Sequence, residues 1–122
     1  SSSMPENISL DSMAIFANAT VYFEFDKSSL TSKSIQTLKS AVDALNENST
    51  IEVTLSGHAD ERGTREYNLA LGQRRAESVS DYLVLNGINK SRITVKSFGE
   101  EKPLAYGQDE SSYAKNRRVE IN

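Results

Sequence analysis

Hydrophobic and polar residues alternate in three short stretches of the chain and recur at three- and four-residue intervals in two longer ones. Val21-Tyr22-Phe23-Glu24-Phe25 concentrates aromatic and β-branched residues, with Val21, Phe23 and Phe25 on one face, and predicts a half-buried strand ended by Asp26-Lys27-Ser28-Ser29. Thr31 or Ser32 then caps a helix whose apolar positions Ile35, Leu38, Ala41, Val42 and Leu45 fall on one side, up to the polar run Asn46 to Ser49. Ile51 to Ser56 is a second strand, with Ile51, Val53 and Leu55 turned to the core. Gly57 and Gly63 bracket a turn that exposes Asp60. A long second helix begins at Glu66 or Tyr67, turns Leu69, Ala76, Val79 and Leu83 to the sheet, and stops at Asn86-Gly87, where Gly87 suits a left-handed C′ position. Ile93 to Phe98 is a third strand. After a loop from Gly99 to Gln108, Ser111 or Ser112 opens one helical turn, and Arg118 to Ile121 is the last strand.

The order is βαβαβ followed by a final strand. Strands separated by amphipathic helices need crossover connections, so at least part of the sheet is parallel and both helices stack on one face. The predicted fold class is α/β (α+β), a two-layer sandwich occupying residues 20–122. Residues 1–19, rich in Ser, Asn and acids, read as an N-terminal arm or linker, and Ser1-Ser2-Ser3 before Met4 reads as a tag remnant.

Composition narrows the function. The 122 residues, 37% hydrophobic and 25% charged, suit one globular domain with a real core. No apolar run approaches the ~20 residues of a bilayer helix, so membrane association is expected through an anchor or partner outside this sequence. Seventeen acids against fourteen bases give a net charge of −3, and the pairs Arg74-Arg75 and Arg117-Arg118 stand alone, which argues against nucleic acid. Without cysteine there is no disulfide, thiolate metal site or cysteine nucleophile.

Candidate chemistry centres on Asp60 and Arg75. At 100° per residue Arg75 flanks the apolar stripe of the second helix while Arg74 points away from it, and helical side chains lean toward the N-terminus, so Arg75 reaches back toward the loop holding Asp60 and Thr64. An acid and an arginine at one rim suit a ligand carrying both charges, such as the free amino-acid end of a peptide; alternatively the two pair with each other. His58, the single histidine, has at most Asp60 and Glu61 as companions for a metal, and no nucleophile-elbow sequence accompanies it, so a structural or ligand-lining role is expected. No metal and no cofactor are expected.

The segment GHADERGTREYNLALGQRRAESVSDYL, residues 57–83, resembles the signature of OmpA-like peptidoglycan-binding domains, nearest to their lipoprotein members. The resemblance covers about residues 20 to 121, including Phe98-Gly99-Glu100-Glu101-Lys102-Pro103 and Asn116-Arg117-Arg118-Val119. It implies a mixed four-stranded sheet with the last strand between the first two. It further implies non-catalytic binding of the diaminopimelate residue of the peptidoglycan stem peptide, with Asp60 meeting the ammonium and Arg75 the carboxylate. Phe25-Asp26 would add a backbone N–H to carboxylate recognition, and Thr64, Asn68, Leu71 and Arg118 are further implied contacts. The implied setting is the periplasm of a Gram-negative bacterium, attached to the outer membrane and working with Tol proteins such as TolB in envelope integrity and division. The same domain within a porin-like or flagellar-stator protein is the alternative, and a metal-dependent hydrolase built on His58 and Asp60 a remoter one.

Overall fold

The computed structural model describes residues 19–122, so the expected arm lies outside the described residues except for Ala19. Ala19 is buried and its carbonyl accepts the Ile121 N–H, which makes it part of the domain. The elements are β1 (Thr20–Tyr22), α1 (Ser32–Glu47), β2 (Val53–His58), α2 (Arg65–Leu85), a 3₁₀ turn (Lys90–Arg92), β3 (Ile93–Gly99), α3 (Glu110–Asn116) and β4 (Arg118–Ile121).

The sheet order is β1-β4-β2-β3. The last strand lies between the first two, antiparallel to both, with Val21 opposite Val119 and Leu55 opposite Ile121. β2 and β3 are parallel because α2 crosses between them, the βαβ arrangement that the strand–helix alternation predicts. Val21, Val53, Leu55, Val119 and Ile121 form one core with Leu38, Ala41 and Leu45 of α1 and Ala76, Val79 and Leu83 of α2, so the two long helices share one face of the sheet.

Helix ends follow the sequence chemistry. The Thr31 and Thr64 hydroxyls accept the N–H groups of Ser34 and Tyr67, capping α1 and α2. Beyond α2, Gly87 takes φ 95° and the Ile88 N–H returns to the Leu83 carbonyl, a Schellman closure. Arg92 supplies what the end of α1 lacks, donating to the carbonyls of Leu45, Asn48 and Ile51.

Several local expectations change. α2 starts at Arg65, one residue before Glu66, and β3 runs one residue past Phe98, to Gly99. β1 ends at Tyr22, although the Phe23 N–H still reaches the Arg117 carbonyl; Phe23 is buried while Phe25, beyond the pairing, is 54% exposed and is not a core residue. β2 begins at Val53, because the Ile51 N–H is taken by Asn48 in the turn leaving α1, and it runs on through Gly57 and His58. Leu69 is only half-buried. α3 starts after Asp109, whose carboxylate accepts the Ser112 N–H, and extends over seven residues rather than a single turn opened by Ser111 or Ser112.

Candidate functional site

Extending β2 to His58 changes the setting of Asp60. Rather than standing exposed on a turn, Asp60 sits just past the strand end and is 4% exposed. Its Oδ1 accepts the backbone N–H of Arg62 at 3.0 Å, an Asx turn, and the same residue's Nε at 3.1 Å, while Oδ2 accepts Arg62 Nη2 at 2.9 Å. The Arg117 Nη1 lies 3.5 Å from Oδ2. Burial pushes the Asp60 carboxyl up, but the side-chain and backbone hydrogen bonds of Arg62 and the charges of Arg62 and Arg117 outweigh it and hold it below the usual carboxylate range. Asp60 is therefore ionised at neutral pH.

Arg75 lies at the end of the third turn of α2 and is fully buried, closer to the core than the flanking position predicted from its angle. Among the described residues it forms no ion pair with a carboxylate. Nε donates to the Lys27 carbonyl at 2.8 Å, Nη1 to the His58 carbonyl at 2.9 Å and Nη2 to the Glu24 carbonyl at 3.1 Å. A guanidinium has five N–H donors, so one N–H on each Nη remains beyond these three bonds. Arg75 thus ties the segment after β1 to the end of β2 and to α2. Burial, and then the Arg117 charge, lower its pKa to about 10, which leaves it cationic at neutral pH. Arg74 is exposed, as its angle predicts, with its guanidinium over the Tyr67 ring.

Between these elements lies a cleft of about 240 Å³. Six of the expected residues line it: Phe25, Asp26, Asp60, Asn68, Leu71 and Arg75. Asp26 has φ 58° and accepts the Tyr67 hydroxyl, which closes one rim. The Asn68 amide donates to the Arg62 carbonyl and to Glu100. Arg62, Gly63, Tyr67 and Ala59 also line the cleft and were not anticipated. The signal for Arg62 was its place two residues after Asp60, where an Asx turn returns the backbone to the carboxylate.

Three expected residues stand elsewhere. Thr64 caps α2 and does not line the cleft. Arg118 is buried, with Nε on Glu120 at 2.7 Å and Nη2 on the Lys102 carbonyl at 3.0 Å, because 118 and 120 share the side of β4 opposite the core residues Val119 and Ile121. His58 is 2% exposed and stacks on Phe98, with both ring nitrogens buried and without a hydrogen-bond partner among the described residues; its carbonyl accepts from Arg75. Burial, with the charges of Arg118 and Lys102 opposed by Glu120, lowers the His58 pKa to about 4, so the ring is neutral at mildly acidic pH instead of responding to it. His58 does not line the cleft that Asp60 lines, and among the described residues no three His, Asp or Glu side chains gather as a metal site.

A buried carboxylate and a buried guanidinium thus line one small cleft on a β1-β4-β2-β3 sheet. The OmpA family profile matches residues 22–117, and the chain belongs to the OmpA family. Over 111 residues it is 48% identical to the peptidoglycan-associated lipoprotein of Pseudomonas aeruginosa, covering 91% of this chain and 66% of that protein. It is likewise 48% identical over 100 residues to the peptidoglycan-associated lipoprotein of Haemophilus influenzae, covering 82% and 65%. The crystal structure of the peptidoglycan-associated lipoprotein from Burkholderia pseudomallei superposes with a TM-score of 0.84 at 41% identity, covering 88% of this chain and 91% of that one. The chain spans about two thirds of the length of the two full-length relatives.

Proposed function

We propose that the chain is a non-catalytic adhesion module whose cleft binds the diaminopimelate residue of a peptidoglycan stem peptide and so holds the outer membrane to the cell wall. The observation that carries this reading is that a buried, ionised Asp60 and a buried, cationic Arg75 both line one cleft, in a chain nearly half identical to proteins named for their association with peptidoglycan. Diaminopimelate ends in an ammonium and a carboxylate on one carbon. Asp60 meets the ammonium, and the two remaining Nη hydrogens of Arg75, with a backbone N–H at Phe25-Asp26, meet the carboxylate. Asn68 and Leu71 complete the wall.

In this reading the module acts in the periplasm of a Gram-negative bacterium, joined to the outer membrane by an anchor outside the described residues and engaging Tol proteins such as TolB. Among the described residues no helix is long and apolar enough to cross a membrane. Co-sedimentation with purified diaminopimelate-type sacculi tests the assignment: Asp60→Ala leaves the protein in the supernatant, whereas Arg74→Ala pellets like the wild type. Equal retention of Asp60→Ala and wild type places the ligand elsewhere.

A further inference from the structure

A carboxylate offers about four acceptor positions. In the free cleft Arg62 fills three of those on Asp60, through its backbone N–H, Nε and Nη2, and the fourth direction faces Arg117. A ligand ammonium therefore finds no open acceptor on Asp60. The Arg62 guanidinium is also held between two rings, 4.0 Å from the centroid of Phe25 and 4.3 Å from that of Tyr113, the environment that receives a cation.

We infer that Arg62 is an internal competitor for the ligand's cation: its side chain occupies the ammonium site in the free protein and must leave Asp60 for the ligand to bind. The inference rests on the reading of the cleft given above and adds a residue that sets affinity and selectivity there. Arg62 is the movable member of the cluster. Its side chain is 36% exposed against 4% for Asp60, and it lies on the cleft wall. Arg117 is fixed, with Nε on the Phe23 carbonyl and Nη2 on Glu110, both at 2.8 Å.

A second place for the displaced guanidinium already exists, since the exposed Glu110 carboxylate lies 3.7 Å from Arg62 Nη2. The backbone bond from Arg62 to Asp60 Oδ1 does not depend on the side chain, so the loop keeps its shape while the side chain swings. The consequence is selectivity for cations. A ligand with a carboxylate alone has nothing to exchange for Arg62, whereas an ammonium replaces one positive charge on Asp60 by another.

When the binding-competent form is a minor fraction, observed affinity is reduced by that fraction, and removing the competitor restores it; a gain of about tenfold corresponds to a cleft open about a tenth of the time. The test is calorimetric titration of the whole chain with a diaminopimelate-containing muramyl tripeptide. Arg62→Ala and Arg62→Gln are expected to bind about tenfold more tightly than wild type, while Asp60→Ala does not bind. Tyr113→Leu, which loosens Arg62 without lining the cleft, is expected to give a smaller gain in the wild-type background and none in Arg62→Ala. Thermal unfolding checks that each variant is folded. In a ¹⁵N-labelled sample the Arg62 Nε–H resonance should shift on saturation while that of Arg117 stays.

Weaker or unchanged binding of both Arg62 variants, beside a wild type that binds, overturns the competitor and makes Arg62 a ligand contact or a bystander. An Arg62 Nε–H resonance that does not move at saturation overturns it too. Absence of binding by wild type and Arg62 variants alike overturns the functional reading and the competitor together.

Discussion

Gly57 of β2 and Gly72 of α2 meet backbone against backbone: a Cβ on Gly57 would lie 1.9 Å from the Gly72 carbonyl oxygen, and one on Gly72 would lie 2.4 Å from Ser97 Oγ and 3.0 Å from the Gly57 oxygen. Only two residues without side chains allow the helix this close to the strand. Arg75 follows Gly72 by three residues, within one turn, and the same approach brings its guanidinium onto the His58 carbonyl one residue beyond Gly57. The cleft depends on that contact.

Gly57→Ala is accordingly expected to destabilise the domain by at least ~3 kcal/mol, the upper range of overpacking costs, because its neighbour is backbone and cannot rotate away. Chemical denaturation measures it. A loss below ~1 kcal/mol would mean that α2 slides freely on β2.

Arg75→Ala is expected to lose stability as well as binding. Three carbonyls, those of Glu24, Lys27 and His58, lose their donor together, at a cost of ~3 kcal/mol or more. Arg75→Lys returns the charge but not the fork, and falls between. Arg74→Ala changes the stability by less than ~0.5 kcal/mol, as surface changes do. Identical denaturation curves for Arg74→Ala and Arg75→Ala would contradict the clamp.

His58 gives a signed pH dependence. Its folded pKa, about 4, lies below its ordinary 6.5, so below pH 6.5 the unfolded chain takes up a proton that the folded chain refuses. The contribution is complete above pH 6.5 and is lost as pH falls toward 4, amounting to about 3 kcal/mol at most. Asp60 acts in the same direction at lower pH, since its folded carboxyl lies below the ordinary value. His58→Phe should flatten the slope of stability between pH 6.5 and 4 relative to wild type; an unchanged slope would show that the ring already protonates in the fold.

Much of this architecture is legible in the sequence because burial on one face imposes a period. The Ile35 to Leu45 pattern gives α1, Thr31 its cap, and Asn86-Gly87 the end of α2. The strand order came from family resemblance, since alternation alone does not say which strands pair. Errors arose where tertiary contacts override pattern. Phe25 continues the alternation of Val21 and Phe23 but lies beyond the strand, under an arginine. Gly57 and His58 look like turn residues, yet the close approach of α2 and the stacking of His58 on Phe98 keep them in β2. Once β2 is extended, Asp60 becomes buried and Arg75 acquires carbonyl partners. Of the expected contacts, Thr64 and Arg118 carry caps and pairings, while Arg62, a loop residue with no period, was missed.

Chelation is expected to leave the chain's behaviour unchanged. Incubation with defined muropeptides, with and without EDTA, should return them intact by mass spectrometry, because His58 and Asp60 are held apart by Phe98 stacking on one side and the Arg62 fork on the other. A metal-dependent product would favour the hydrolase alternative.

Recognition of both ligand charges is tested by titrating the chain calorimetrically with two stem peptides that carry diaminopimelate or lysine at the same position. Lysine keeps a side-chain ammonium for Asp60 but lacks the carboxylate that diaminopimelate carries on the same carbon, which leaves the two remaining Nη hydrogens of Arg75 without a partner. A buried donor left unpaired costs about 1 to 3 kcal/mol, so the lysine peptide should bind roughly tenfold or more weakly. Equal affinity for the two peptides would contradict recognition of both charges by Asp60 and Arg75.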